Sequence, residues 1–394
     1  MKKKPVTTTT HELAPLITEL RSLIHSARHA VATTVNTLQV MTNFEIGRRI
    51  VEHEQKGAVR AEYGKELLKE LSLRLSEEFG KGFSERNLRS FRAFYFTYQD
   101  RLVAIWQKPS AKLPLTPIGQ TVSDQFKIMA LSPSAKLSLF ENTSLKSLFT
   151  LSWSHYVLLL TIKNPDERSF YEIEATNEGW SLPELKRQVA SCLYERLALS
   201  KDKESVRQLA TEGQIIVTPA DMLKEPYVLE FLGLDEKSGY SESDLEGAII
   251  DQLEKFLLEL GKGFLFEARQ KRFTFDEDHF FVDLVFYNRL LRCYVLIDLK
   301  LDKLSHQDLG QMQMYVNYFD RYVKTPDENP TIGILLCKRK KQAIVELTLP
   351  VDANIHAREY NLYLPSKEVL QQKLTDWVRE QEVVYGVGKD TSLL

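Results

Sequence analysis

Two acidic residues stand inside stretches of sequence that are otherwise apolar and typical of β-strands. Asp283 interrupts the apolar run at 280–286, and Asp298 interrupts the run at 295–299. A carboxylate in such a strand costs free energy unless a cationic side chain or a metal ion neutralises it. Lys300 follows Asp298 by two residues, so strand alternation puts both side chains on one face. A hairpin between the two strands would bring Asp283 close to that pair.

Two carboxylates and a lysine on adjacent strands suit the metal-assisted hydrolysis of a phosphodiester bond. The carboxylate oxygens bind Mg²⁺, and the metal polarises the phosphate and lowers the pKa of a water molecule. The lysine then positions that water or stabilises the charge that develops. A structural salt bridge at the end of a sheet needs the same residues, and from these residues alone it is at least as good an interpretation.

The surrounding sequence predicts the elements that would position these side chains. A helix begins at about residue 243 and ends at the turn Gly261-Lys262-Gly263. The elements predicted after that turn are strands at 264–275, 279–288 and 292–299, a helix at 305–322, a strand at 332–337, a basic helical stretch at 338–347, a strand at 356–364 and a helix at 366–382. Helix, three strands, helix and strand is a mixed α/β order.

The residues Asp283 and Asp298-Leu299-Lys300 resemble the D…(D/E)xK signature of the PD-(D/E)XK nuclease superfamily, whose core has a similar order of elements. The resemblance implies that Asp283 and Asp298 bind metal and that Lys300 lies at the attacking water. It further implies that Gln311 and Tyr315, in a QxxxY-like element, assist at the active site or contact nucleic acid. Val282 replaces the proline of the signature and Asp298 its glutamate; both changes occur in the superfamily.

The same resemblance implies an additional metal-binding acid on the helix before the first strand. Glu246 is the residue that matches this position. Other acids lie on the same or neighbouring turns and are alternatives to it: Glu242, Asp244 and Glu254.

Longer motifs make the resemblance more specific. The C-terminal half is similar to the YhcG-type nuclease domain through the segments 261–264, Arg269-Gln270, 283–287, 294–300 and 310–312. The N-terminal half is similar to that group's own N-terminal domain through Ile46-Gly47, 61–64, 82–84 with Asn87-Leu88, and 151–156. Arg269 and Gln270 are interpreted either as phosphate-binding residues near the site or as a cap on the edge of the sheet.

A helix-turn-helix pattern occupies residues 61–99. One helix runs to Phe79, Gly80-Lys81-Gly82-Phe83 turns the chain, and Ser84 is placed to cap the next helix. The first turns of that second helix carry Arg86, Asn87, Arg89 and Arg92. Because guanidinium groups and a helix N-terminus both suit phosphates and base edges, these four residues are predicted to contact nucleic acid. The alternative is a pair of packed helices whose arginines only solvate one face.

The chain is predicted to be α+β overall, with two domains. A mainly α-helical domain at 12–200 contains a Pro- and Ser-rich insert at 105–147, and a linker at 201–240 leads to a restriction-endonuclease-like PD-(D/E)XK domain at 241–385. The insert carries the short repeat PSAKL twice, at 109–113 and 133–137.

Charge and length exclude several classes of protein. The chain has 394 residues and 52 basic against 54 acidic side chains, so it is neither a small module nor a general polycation. Residues 1–200 nevertheless carry a net charge of +6 and residues 201–394 one of −8. The basic run that includes Lys338 and Arg339 could steer phosphates toward the site, or it could be a solvated start of a helix.

The three cysteines form no CxxC pattern and are predicted to be buried thiols. Because the sequence shows no secretory signal and no apolar run long enough for a membrane span, the protein is predicted to be cytoplasmic.

The expected function is that of a nuclease that requires Mg²⁺ or Mn²⁺, with DNA ahead of RNA as the substrate. The N-terminal domain would bind nucleic acid or a partner, and a homodimer would supply two active sites for two strands. The sequence contains no GxxxxGK[ST] motif, so an ATP-driven motor would be a separate protein. The alternative is a catalytically silent nucleic-acid-binding or regulatory protein that keeps the nuclease fold as a scaffold.

Overall fold

The computed structural model describes residues 35–54, 61–106, 149–200, 203–234, 239–275, 277–340, 342–350 and 353–386. The chain divides into two compact units, Met1–Lys163 and Asn164–Leu394. The Pro- and Ser-rich insert predicted at 105–147 lies outside the described residues except at its first two positions. The beginning of the predicted helical domain, at 12–34, also lies outside them.

The described part of the first unit is helical. Its helices are α1 at 35–54, α2 at Ala61–Phe79, α3 at Glu85–Trp106 and α4 at Trp153–Leu159, with a 3-10 turn at Lys81–Phe83 between α2 and α3. Aromatic side chains pack edge to face around Phe94, which is fully buried. The rings within 6 Å of it include Phe44, Phe149 and Tyr156. This unit is therefore held together chiefly by aromatic burial.

The predicted helix-turn-helix pattern forms. The hydroxyl of Ser84 accepts a hydrogen bond from the backbone N–H of Asn87 at 3.4 Å, so the predicted N-cap is confirmed. Leu88 and Phe91, on the inner side of α3, are buried. Tyr95 is only half-buried, and Phe94 takes the central place in the core because α1 packs across α3 at this level.

Gly47 lets α1 approach α3 closely. A Cβ atom at this position would lie 2.1 Å from the carbonyl oxygen of Phe91 and 3.2 Å from the Cβ atom of Tyr95. The first contact is to backbone, which cannot move aside as a flexible side chain can. The packing of these two helices therefore requires a residue without a side chain at position 47.

The second unit begins with helices and ends as a mixed sheet covered by helices. The helices before the sheet are α5 at Pro165–Asn177, α6 at Leu182–Ala190, α7 at Leu193–Ala198, α8 at Lys203–Glu212 and α9 at Pro219–Met222. The remaining elements are β1 at Tyr227–Val228, α10 at Glu242–Asp251, α11 at Leu253–Leu260, β2 at Phe264–Phe275, β3 at Asp278–Asn288, β4 at Cys293–Lys303, α12 at His306–Tyr322, β5 at Ile332–Arg339, α13 at Gln342–Thr348, β6 at Ile355–Asn361 and α14 at Lys367–Gly386.

The six strands form one sheet in the order β1-β6-β5-β4-β3-β2. Strands β2, β3 and β4 are antiparallel neighbours, whereas β4, β5, β6 and β1 run parallel. Leu284 and Ile297 pack on the α10–α11 side of the sheet, and Val285 and Leu296 pack on the α12 side. Because both faces are covered, the central strands are apolar almost throughout.

The structure differs from the sequence-based expectation in several places, of which three concern whole elements. The predicted helix from 243 is two helices, since Gln252 leaves the helical conformation at φ −117° and ψ 32°. The predicted linker at 201–240 contains α8, α9 and β1, and Tyr227 and Val228 pair with the last strand of the sheet. Lys338 and Arg339 end strand β5 and do not start a helix, because the ladder with β4 continues to Arg339.

A buried ionic cluster joins α6, α7 and α11. Glu259 is completely buried and accepts hydrogen bonds from Arg196 at 2.5 Å, from Arg187 at 3.3 Å and from the backbone N–H of Val228 at 3.0 Å. Lys224, also buried, donates to the carbonyl oxygen of Glu259. Burial alone would raise the pKa of Glu259, but these three cationic side chains overcome that effect and lower it to about 2.

No helix among the described residues is long and apolar enough to cross a membrane. The three cysteines are buried thiols, as predicted.

Gly47→Ala is expected to lower the stability of the first unit by about 1–3 kcal/mol, because the new methyl group forces the backbones of α1 and α3 apart. Thermal unfolding of the full chain measures the effect. Gly82→Ala is the matched control, since nothing lies within 4 Å of a Cβ atom there. Equal unfolding temperatures for the two variants would contradict the close approach.

Candidate functional site

The candidate site lies where β3 and β4 stop pairing. The last registered pair is Leu284 opposite Ile297, and the next residues outward are Asp283 and Asp298. The backbone N–H of Leu299 donates to the Oδ2 atom of Asp283 at 2.9 Å. Asp283 on β3 is thereby tied to the strand that carries Asp298. The predicted approach of Asp283 to the strand of Asp298 and Lys300 is confirmed by this hydrogen bond.

Asp298 and Lys300 form the ion pair that strand alternation predicts. The Nζ atom of Lys300 lies 2.8 Å from the Oδ2 atom of Asp298, whose side chain is only 4% exposed. The same Nζ atom lies 3.7 Å from Glu242, a more exposed carboxylate on α10. Glu242 also accepts from the backbone N–H of Leu301 at 3.3 Å, so it closes the outer side of the pair.

Burial and the neighbouring charge of Asp283 raise the pKa of Asp298 to about 7, against the opposing effect of Lys300. The two carboxyl groups are close enough to share a hydrogen bond when Asp298 is protonated. For Lys300, burial alone would lower the pKa, but the Asp298 carboxylate overcomes it and raises the pKa above the ordinary value. Lys300 is therefore an ammonium ion at any pH near neutrality.

Glu246, on α10, is held by two residues of β2. Its Oε1 atom accepts from the Nε atom of Arg269 at 2.5 Å, and its Oε2 atom accepts from the Nε2 atom of Gln270 at 2.6 Å. The same amide nitrogen of Gln270 donates to the Oδ1 atom of Asp283 at 3.0 Å. Glu246 is thus connected to Asp283 through Gln270.

Gln270 has a left-handed backbone conformation, with φ 46°. This region costs a residue with a side chain about 1–2 kcal/mol, and such strain is found mostly where a site requires it. The residue faces Asp283 across the β2–β3 ladder, where pairing continues at Arg269–Leu284 on one side and Lys271–Val282 on the other.

Gln311 and Tyr315 lie one turn apart on α12, and the Gln311 amide donates to the Tyr315 hydroxyl. That hydroxyl in turn donates to the backbone carbonyl of Phe281 at 2.8 Å. Burial raises the pKa of Tyr315, so the hydroxyl keeps the proton that it donates. This pair holds β3 two residues from Asp283.

Lys338 and Arg339 lie toward the same end of the central strands as the two aspartates. Strands β4 and β5 are parallel, with Lys300 opposite Cys337 and Lys303 opposite Arg339. Arg339 is exposed, whereas the ammonium group of Lys338 lies 4.8 Å from the centre of the Tyr240 ring.

The four predicted nucleic-acid contacts of the first unit are arranged along the start of α3. Arg86 is exposed. Arg89 is paired with Glu85 at 2.9 Å, Arg92 is paired with Glu54 at 2.8 Å, and the amide of Asn87 donates to the carbonyl of Gly82 at 2.9 Å. Three of the four side chains therefore have intramolecular partners.

In the part of the chain that the structure describes, no three His, Cys, Asp or Glu side chains are grouped so that together they could hold a metal ion. Both oxygens of Glu246 accept hydrogen bonds from residues of β2. Mg²⁺, however, is commonly bound through one or two carboxylates plus water and substrate phosphates. Asp283 and Asp298 fit that mode, since a cation would relieve the repulsion that raises the pKa of Asp298.

Two features of the site were not predicted. The sequence offered Glu242 only as an alternative to Glu246 for the additional metal-binding acid. In the structure, Glu242 is the acid of α10 that lies within 4 Å of Lys300. The bridging role of Gln270 and its left-handed conformation have no signal in a single sequence, because glutamine does not mark that conformation.

Comparison with known proteins gives matches over both halves of the chain. Residues 220–375 match the YhcG PDDEXK nuclease domain, and residues 19–196 match the DUF1016 N-terminal domain. A relative from Escherichia coli (strain K12), named "Putative nuclease YhcG", is 44% identical over 363 residues, which is 92% of each chain.

Among solved structures, a repair endonuclease from Pyrococcus abyssi is 18% identical, with 34% of this chain and 50% of that chain covered and a TM-score of 0.22. A likeness at that score carries no weight for fold or function.

Asp283→Asn is expected to lower the pKa of Asp298 from about 7 by about one unit or more, because it removes the neighbouring negative charge. A raised native pKa means that the folded protein holds a proton that the unfolded chain releases near pH 4. Wild-type stability should therefore fall as the pH rises from about 4 to about 7. In the variant this fall should end at a lower pH.

Carboxyl NMR titration of the metal-free protein measures the pKa, and urea unfolding between pH 4 and pH 8 measures the stability. Asp302→Asn, an exposed acid further along β4, is the control that leaves Asp298 unchanged. If the pKa of Asp298 is the same in the Asp283→Asn protein as in the wild type, the charge of Asp283 does not contribute to it.

Proposed function

We propose that this chain, which belongs to the YhcG family of PDDEXK nucleases, hydrolyses phosphodiester bonds in DNA with Mg²⁺ or Mn²⁺ as its cofactor. One observation carries the proposal: a buried aspartate, Asp298, lies 2.8 Å from Lys300 and beside a second aspartate. A salt bridge needs one acid for one lysine. Here the second acid adds repulsion that Lys300 does not remove, and excess negative charge of this kind suits a cation.

Asp283 and Asp298 would hold the cation. When bound, it would polarise the scissile phosphate and increase the acidity of the attacking water. Asp283 is prepared for this role because each of its oxygens accepts one hydrogen bond, from Gln270 and from the N–H of Leu299, which fixes the direction of the remaining lone pairs.

Lys300 acts as a hydrogen-bond donor and a positive charge. Because its pKa is raised, it does not remove a proton from water at neutral pH. Its ammonium group can orient the attacking water and stabilise the negative charge that develops on the phosphate. Gln311 and Tyr315 keep β3 in place through Phe281 and so support the position of Asp283.

Two sets of basic residues are proposed to contact the substrate, one at the rim of the site and one in the first unit. Lys338 and Arg339 follow Lys300 outward on the neighbouring strand and are proposed to contact phosphates. Arg86, Asn87, Arg89 and Arg92 are proposed as a second contact, used for recognition. The homodimer, the separate ATP-driven motor and the cytoplasmic location stay predictions.

Asp298→Ala and Lys300→Ala are expected to lower the rate of DNA cleavage by at least about a hundredfold, because each removes a group that acts on the reacting phosphate. The assay compares linear duplex DNA, single-stranded DNA and RNA, with Mg²⁺, with Mn²⁺ and with EDTA. Cleavage that is equal in all variants, or that persists in EDTA, would contradict the proposed chemistry.

The matched controls are Asp251→Ala and Lys255→Ala, which remove an exposed acid and an exposed lysine from α10 and α11. Both should cleave like the wild type. Preferential cleavage of RNA would support the proposed site but would show that the substrate is RNA and not DNA.

Arg86→Ala is expected to weaken DNA binding in EDTA and to reduce the slope of log K against log salt concentration by about 0.9, the value for one lost phosphate contact. Fluorescence anisotropy at several salt concentrations measures both quantities. Arg74→Ala removes an exposed arginine of α2 and is the control. If the two variants bind alike, α3 does not contact DNA through Arg86.

A further inference from the structure

Gln270 connects two acids that come from different elements. Its single amide nitrogen donates one hydrogen to Glu246 at 2.6 Å and the other to Asp283 at 3.0 Å. Both hydrogens of the amide are therefore used within the protein. The side-chain amide at this position, which was predicted to bind phosphate, therefore donates both of its hydrogens to the two acids.

The backbone at Gln270 shows that this arrangement is imposed by its surroundings. A φ of 46° is unfavourable for glutamine, and such a conformation persists only where neighbouring contacts determine it. Pairing with β3 holds the chain on both sides, at Arg269 and at Lys271. The two hydrogen bonds of the side chain then restrain its conformation.

Glu246 is saturated, whereas Asp283 is not. Arg269 and Gln270 each occupy one oxygen of Glu246, whose side chain is 6% exposed, and Arg269 neutralises its charge. Asp283 accepts one hydrogen bond on each oxygen and keeps further lone pairs. The acid that remains able to bind a cation is therefore Asp283, and Glu246 lies behind it.

We infer that Gln270 is a positioning residue, which orients Asp283 for the cation, and that Glu246 acts through Gln270 and not as a metal ligand. The inference rests on the proposed function, since it assumes that Asp283 binds the metal. Glutamine suits the position because it is neutral and has two donors on one atom. A glutamate there would repel both acids, and an asparagine is one methylene shorter.

Binding of Mn²⁺ to the full chain without nucleic acid, measured by calorimetry, tests this relay. Glu246→Ala and Gln270→Ala should each weaken Mn²⁺ binding by about tenfold or more, the usual effect of losing a partner of a metal ligand. The double variant should bind Mn²⁺ no worse than the weaker single variant, because both changes remove the same support from the Asp283 carboxylate. Losses that multiply in the double variant would overturn the relay.

A glycine at this position separates the positioning role from a structural one. Gln270→Gly relieves the backbone strain, so its unfolding temperature should exceed that of Gln270→Ala by about 2–4 °C, while Mn²⁺ binding stays weakened in both. Glu277→Gly is the matched control, since Glu277 also has a positive φ, 70°, and touches neither acid. It should be more stable than the wild type and bind Mn²⁺ equally well.

Wild-type Mn²⁺ affinity in Gln270→Gly would overturn the positioning role. Asp283→Ala distinguishes this failure from failure of the proposed function. If Asp283→Ala abolishes Mn²⁺ binding while the Gln270 variants bind normally, only the inference is wrong. If Asp283→Ala binds as tightly as the wild type, the metal site itself is wrong, and the positioning role is overturned with it.

Discussion

The repulsion between Asp283 and Asp298 is the interaction around which this unit is organised. Both carboxylates sit at the point where β3 and β4 cease to pair, and one of them is almost completely buried. Two strands contribute groups that stabilise this charge: β4 supplies Lys300 and the N–H of Leu299, and β2 supplies the amide of Gln270. The apolar faces of the central strands stabilise the sheet. This stability offsets the free-energy cost of placing two acids where β3 and β4 stop pairing.

Alternation and hairpin topology were sufficient to predict the centre of the site. The two-residue spacing of Asp298 and Lys300 fixes a common face, and the antiparallel pairing of β3 with β4 leaves little choice about where Asp283 lies. What the sequence could not give is which polar group pairs with which. Glu242 and Glu246 are one turn apart on α10, and only the packing of that helix decides that Glu242 approaches Lys300 while Glu246 approaches Arg269.

Boundaries were harder to predict than elements. Lys338 and Arg339 have the composition of a solvated helix start, but parallel pairing with β4 extends β5 through both residues. Likewise, the proline-containing stretch before β1 resembles a linker, and the two-residue strand within it becomes visible only through its partner, β6. In both cases a contact distant in sequence decides the local structure, and a window of neighbouring residues carries no record of it.

The buried Glu259 has a consequence for how such chains can be divided. Its partners Arg187 and Arg196 lie within the segment that matches the N-terminal family domain, whereas Glu259 lies within the nuclease domain. A fragment cut at the boundary between the two family matches would bury a carboxylate without two of its three cations. The helices that precede the nuclease domain therefore complete its core, because two of the cations that neutralise Glu259 lie on them.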